Sequence, residues 1–188
     1  MNRYAVIVIA AVAAASTTGG AVVAAPDDIA TTPGNPAEAV FGSESLDLSE
    51  DWGTASACIE LGDVTECYDT EAELLAAHPE ALAESRSVSG RGFVAASALV
   101  CSSSTRLYNG YSYTSGVLYL NTRGVIHNMS SFGFDNMTSS YRIGPCSVSM
   151  FSAANAGGSV YPGYTGAWAQ YASMAWGWND VVSSVYMY

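Results

Sequence analysis

In the C-terminal half of the chain, the groups able to do chemistry concentrate in two short segments. Asp135-Asn136-Met137-Thr138-Ser139-Ser140 and Asn179-Asp180-Val181-Val182-Ser183-Ser184 share the pattern [Asn/Asp]-[Asn/Asp]-x-x-Ser-Ser at an offset of 44 residues. Each follows an aromatic-Gly-aromatic triplet, Phe132-Gly133-Phe134 and Trp176-Gly177-Trp178. Asp135 and Asp180 are also the only carboxylates from residue 87 to residue 188. Each segment therefore offers one carboxylate, one amide and two serine hydroxyls, an all-oxygen set of the kind a hard cation such as Ca²⁺ takes. The same residue types favour ordinary turns, because they bond their own backbone. Two copies in register behind matching aromatics favour calcium over a plain turn. Catalysis is not expected: no G-x-S-x-G or H-E-x-x-H occurs, and His127, the sole histidine of this half, follows the β-branched Val125 and Ile126 as a sheet residue would.

The elements that must position these segments share their period. Cys101 and Cys146 are 45 residues apart, Tyr108 and Phe151 43, and Gly116 and Gly158 42. A period sustained by independent landmarks marks an internal repeat. Its short runs, such as Thr105-Arg106-Leu107-Tyr108 and Gly116-Val117-Leu118-Tyr119-Leu120, are rich in β-formers and separated by Gly, Asn and Ser. Four strands per repeat predict an all-β domain, two Greek-key motifs forming one β-sandwich.

The rest of the chain differs in charge. Its 188 residues are 49% hydrophobic and 12% charged with a formal net charge of −11, enough for one modest core. All six basic residues are arginines and they form no stripe, which excludes nucleic acid and disfavours an anionic membrane. Arg3, the uncharged stretch 4–25 and the small residues before the first acids predict a signal peptide over residues 1–25, cleaved near Ala24. The apolar run 4–15 is too short to span a bilayer, so the mature chain is expected to be secreted, extracellular and free of the membrane. Four cysteines, 58, 67, 101 and 146, without a C-x-x-C then suggest two disulfides rather than a zinc site.

Fifteen of the seventeen acids lie between residues 27 and 84, whereas residues 87–188 carry four arginines against two aspartates. Residues 26–50, with several prolines and acids, predict a disordered acidic leader. Residues 51–90 predict a small acidic hairpin-helix module. Its hairpin turns at Gly62-Asp63, where a Cys58–Cys67 bond would staple it. Thr70-Glu71-Ala72-Glu73 resembles a capping box opening a helix to about Arg86, with Leu74, Leu75, Leu82 and Ala83 as its stripe, divided at Pro79. His78 reads as an ordinary helix-end histidine.

The two segments, Asp135 to Ser140 and Asn179 to Ser184, resemble the paired calcium-binding signature of the βγ-crystallin superfamily, over residues 99–188. That resemblance implies two Ca²⁺ ions cross-clamped by two loops. The carbonyl of Met137, Ser139 and Asp180 would hold one ion; the carbonyl of Val181, Ser183 and Asn136 would hold the other. Asp135 and Asn179 would orient the loops. The superfamily's second signature, an aromatic corner over each first hairpin, is altered here. Ala156 replaces an aromatic in the second repeat, and the stretch from Tyr108 to Gly116 is one residue too long in the first. A Cys101–Cys146 bond, each cysteine lying just upstream of its repeat, completes the expectation, with two other connectivities open from the sequence. Secreted metalloproteinase inhibitors resembling this fold imply an alternative role, with the loop Tyr161-Pro162-Gly163-Tyr164-Thr165-Gly166 presented to an extracellular protease.

Overall fold

The computed structural model describes residues 38–82 and 103–188. The predicted signal peptide and Cys101 lie outside the described residues. The C-terminal repeats carry eight strands. The first repeat supplies β5 (Thr105–Tyr108), β6 (Val117–Leu120), β7 (Ile126–Asn128) and β8 (Ser140–Arg142). The second supplies β9 (Val148–Ala153), β10 (Gly157–Val160), β11 (Gln170–Tyr171) and β12 (Ser184–Met187). Four strands per repeat are thus observed, and each repeat forms an antiparallel Greek key: β5 sits between β6 and β8, as β9 sits between β10 and β12. The third strands are exchanged. β7 pairs with β12 of the second repeat, and β11 pairs with β8 of the first. Between the two sheets lie Leu107, Leu118, Leu120, Phe132, Phe134, Tyr141, Met150, Val182 and Val185, all buried. Burial of so many large side chains is the main source of stability in such a sandwich.

Upstream, β1 (Glu38–Phe41), β2 (Glu44–Asp47), β3 (Ala57–Glu60) and β4 (Thr65–Tyr68) extend the first repeat's sheet to the order β11-β8-β5-β6-β3-β4-β1-β2. Two expectations change here. Residues 38–50 of the supposed disordered leader form a hairpin whose Ala39 is buried, followed by Leu48, fully buried. The segment cannot bury a core alone, but β1 adds in parallel to the edge already formed by β4. The 51–90 module likewise continues the sandwich's sheet, because β3 pairs in parallel with β6, residue 57 opposite 117.

Within this extension the hairpin turns as predicted, Leu61 N–H donating to the Val64 carbonyl at 2.9 Å, and Cys58 and Cys67 are disulfide-bonded. Cys146 is disulfide-bonded too. The helix α1 (Glu71–Ala77) starts at Thr70, whose hydroxyl accepts the Glu73 N–H at 3.2 Å. It is divided at Pro79 as expected: after His78, Pro79 opens a separate 3₁₀ turn, Pro79–Leu82, and the stretch from there to Arg86 lies outside the described residues. Of the predicted stripe Leu74 is fully buried, while Leu82 is exposed and Ala81 is buried instead, because the 3₁₀ turn shifts the buried face. α1 covers the outer face of the first repeat's sheet, where Tyr108 and Tyr119 both donate to Glu71 Oε1, at 3.1 and 2.6 Å.

A carboxylate unremarked in the sequence locks the extension to the repeats. Glu60 is buried, and it accepts the N–H groups of Gly62, Asn121 and Thr122 at 2.6, 3.0 and 2.9 Å and the Thr122 hydroxyl at 2.5 Å. Burial alone would raise its carboxyl above the ordinary range; the Thr122 hydroxyl and amide, the charge of His127 and the Asn121 amide outweigh burial and lower it.

Candidate metal centre

The two six-residue segments lie side by side, as the resemblance implies. Asn136 and Asp180 take positive φ angles of 55° and 56°, a conformation that Asn and Asp tolerate better than most residues. The Asn136 N–H donates to the Val182 carbonyl at 3.0 Å, and the Asp180 N–H to the Thr138 carbonyl at 3.1 Å. These reciprocal bonds turn each second-position side chain toward the opposite loop. Ser139 Oγ donates to Asp180 Oδ1 at 3.0 Å, and Ser183 Oγ to Asn136 Oδ1 at 3.3 Å.

The pairs that meet are the ones expected to share an ion. Two oxygens each about 2.4 Å from one Ca²⁺ and about 90° apart would lie about 3.4 Å from each other, close to both separations. Among the described residues, the carbonyls of Met137 and Val181 accept no hydrogen bond and so retain free lone pairs. Buried Thr138 Oγ1 and Asn179 Oδ1 likewise have no hydrogen-bond partner there. No cluster of three or more His, Cys, Asp or Glu side chains occurs among the described residues. Hydroxyl, amide, carbonyl and a single carboxylate suit a hard cation and not zinc or copper, so these residues fit Ca²⁺.

Each first-position residue is hydrogen-bonded to the residue that follows it. Asn136 Nδ2 donates to Asp135 Oδ2 at 3.0 Å, and Asn179 Nδ2 donates to Asp180 Oδ2 at 2.6 Å. The two loops are therefore not chemically equal: the carboxylate stands at the crossing position in the second loop and at the orienting position in the first.

The second serine of each loop has a role that the sequence does not announce. Ser140 Oγ donates to the Gly110 carbonyl at 2.6 Å and accepts the Tyr113 N–H at 3.0 Å. Ser184 Oγ donates to the Ala153 carbonyl at 2.6 Å and accepts the Ala156 N–H at 3.0 Å. Both hairpin corners are fastened in this way, although Ala156 stands where an aromatic is expected. The repeated Ser-Ser pair was the available signal. One serine faces the crossing and the next faces the corner.

Other candidates sit elsewhere. His127 is buried within β7, its Nε2 2.7 Å from the Thr122 carbonyl oxygen, as a sheet histidine. His78 ends α1 between Glu66 and Glu80, at 2.9 and 3.1 Å. The loop after β10 is tied down: the Tyr141 hydroxyl donates to the Tyr164 carbonyl at 2.9 Å, Thr165 exchanges hydrogen bonds with Val148, and the Tyr161 hydroxyl accepts the Ala175 N–H. The Tyr164 ring itself is 65% exposed.

No protein-family model and no curated protein matches the chain. Solved structures do. A βγ-crystallin domain from Flavobacterium johnsoniae is similar at 25% identity and a TM-score of 0.39, over 45% of this chain and 92% of that one. The likeness is to βγ-crystallin domains. A βγ-crystallin from Ciona intestinalis is 23% identical with a TM-score of 0.39, covering 45% of this chain and 99% of that one. A double mutant of clostrillin in complex with nickel is 18% identical with a TM-score of 0.38, covering 45% and 97%.

Proposed function

We propose that the protein is an exported calcium-binding domain whose two crossed loops hold two Ca²⁺ ions and thereby stabilise the sandwich. The single observation that carries this reading is the double crossing, Ser139 onto Asp180 and Ser183 onto Asn136. The Met137 carbonyl, Ser139 and Asp180 form one site; the Val181 carbonyl, Ser183 and Asn136 form the other. Bound Ca²⁺ supplies a positive charge that these oxygens solvate in place of water. Each serine hydroxyl then turns its proton away from the crossing partner and offers a lone pair. With one carboxylate at the crossing the affinity is modest, as befits a module in calcium-rich extracellular fluid. Free Ca²⁺ at a hundred times the dissociation constant would add about 2.7 kcal/mol per site.

Thermal unfolding in calcium and in chelator tests the proposal. The unaltered chain should melt several degrees higher in calcium, and the doubly substituted chain, Asp180→Ala with Asn136→Ala, should lose that increment. Identical melting of the unaltered chain in both buffers would overturn it. A protease-inhibitor role is favoured by the tethered loop with its one protruding ring, Tyr164. Stoichiometric inhibition of a thermolysin-like protease, lost in Tyr164→Ala, would support that second reading; unchanged protease activity would remove it.

A further inference from the structure

The outer face of the first repeat's sheet carries two arginines that form no ion pair among the described residues. Arg106 on β5 and Arg142 on β8 are direct register partners, and Gln170 on β11 continues the row. Like charges directly opposite each other on a sheet repel. Neither guanidinium is hydrogen-bonded or paired with a carboxylate among the described residues. The Nε atoms of both are buried and without a hydrogen-bond partner there. Buried donors left in that state cost stability unless an acceptor reaches them.

Arg142 is nonetheless held in place. Its guanidinium carbon lies 3.9 Å from the centroid of the Tyr113 ring and 5.9 Å from that of Tyr108, so cation–π contact fixes the planar fork without consuming its hydrogen-bonding edge. Both arginines line a cavity of about 760 Å³, whose other walls include Leu82, Ile143, Trp168 and Gln170. That size suits a small organic ligand. The two carboxylates of the repeats, Asp135 and Asp180, are hydrogen-bonded within the crossed loops. We propose that this cavity binds a carboxylate carried on a small apolar body, with Arg106 and Arg142 as the donors to the anion and Trp168, Ile143 and Leu82 as the apolar wall.

Two arginines opposite each other can accept a carboxylate through paired N–H···O bonds, a geometry that discriminates strongly against a neutral group of the same shape. Benzoate and benzamide are therefore the probes, titrated into the full chain at low ionic strength by calorimetry. Benzoate is expected to bind one-to-one in the millimolar range, with benzamide about tenfold weaker or worse. Arg142→Gln should weaken benzoate about tenfold. Arg142→Lys, which keeps the charge but loses the fork, should weaken it severalfold and guards against a folding defect in the glutamine variant. The chain's own Glu84, two positions past Leu82, is the first carboxylate that follows this cavity residue in sequence. Tighter benzoate binding by Glu84→Gln would show the same site serving an internal carboxylate. Equal binding of the two probes, undiminished benzoate binding by Arg142→Gln, or no saturable binding by either the unaltered chain or Glu84→Gln would overturn the proposal.

Discussion

The two repeats have the same internal wiring and opposite surroundings. In the first, β6 is paired along its outer edge by β3, and Gly133 of its aromatic triplet lies against the Leu48 carbonyl and Trp52. Trp52 Nε1 donates to the Phe132 carbonyl at 2.7 Å, and Phe132 and Phe134 are buried. In the second repeat, β10 has no outer partner among the described residues and shows a register shift between Gly157 and Val160, and Trp176 of the matching triplet is 100% exposed. A shift of that kind on an open edge discourages pairing with another chain. The connection ahead of the second loop is also one residue shorter, Met174 to Asp180 against Met129 to Asn136. Duplicated sequence thus fixes the hydrogen bonds inside each repeat, while burial is decided by what the chain lays over it.

The widest gap between the halves is expected at their equivalent glycines. Gly133 has a φ of 58°, and an added Cβ would drive into the Leu48 carbonyl, whereas Gly177 has a φ of 78° with nothing within 4 Å. Gly133→Ala should cost about 3 kcal/mol or more and Gly177→Ala about 1 kcal/mol, read by urea unfolding. Equal costs would break the comparison. Next comes the lock between β3 and the first repeat. Glu60→Gln should destabilise the chain by about 2 kcal/mol at neutral pH, since it removes the charge from four donors. Because the folded carboxyl is held below its unfolded value, its contribution is present above the unfolded pKa and is lost as pH falls through the folded one. Urea midpoints taken downward from pH 5 should therefore converge for the two chains. The smallest effect separates the two crossed loops, on the proposal that they hold calcium. Asp180→Asn should weaken one site by about tenfold, roughly 1.4 kcal/mol, and Asn136→Asp should strengthen the other by a similar factor, both read by calcium titration.

What the sequence disclosed was whatever repeated. The eight strands and both loops were legible because each appears twice, with β-branched and aromatic runs between Gly and Asn breaks. The hairpin at Gly62-Asp63 and the Thr70 cap were legible because turn and cap chemistry is local. Three things were hidden because they depend on distant partners. Residues 38–47 looked too polar to fold, yet they need only the edge of β4. Glu60 was one acid among fifteen until Asn121 and Thr122 closed over it. Arg106 and Arg142 meet only through the β5–β8 register. Within the candidate site, the residues that cross were legible, and the corner duty of Ser140 and Ser184 was not.

The trade of third strands has a consequence for the molecule's history and handling. Neither half could be lifted out as a self-sufficient fold, because each leaves a gap that only its twin can fill. Cut between Cys146 and Val148, the C-terminal region would yield two fragments that become whole by finding each other, much as two copies of a single ancestral repeat would have had to do before they were joined.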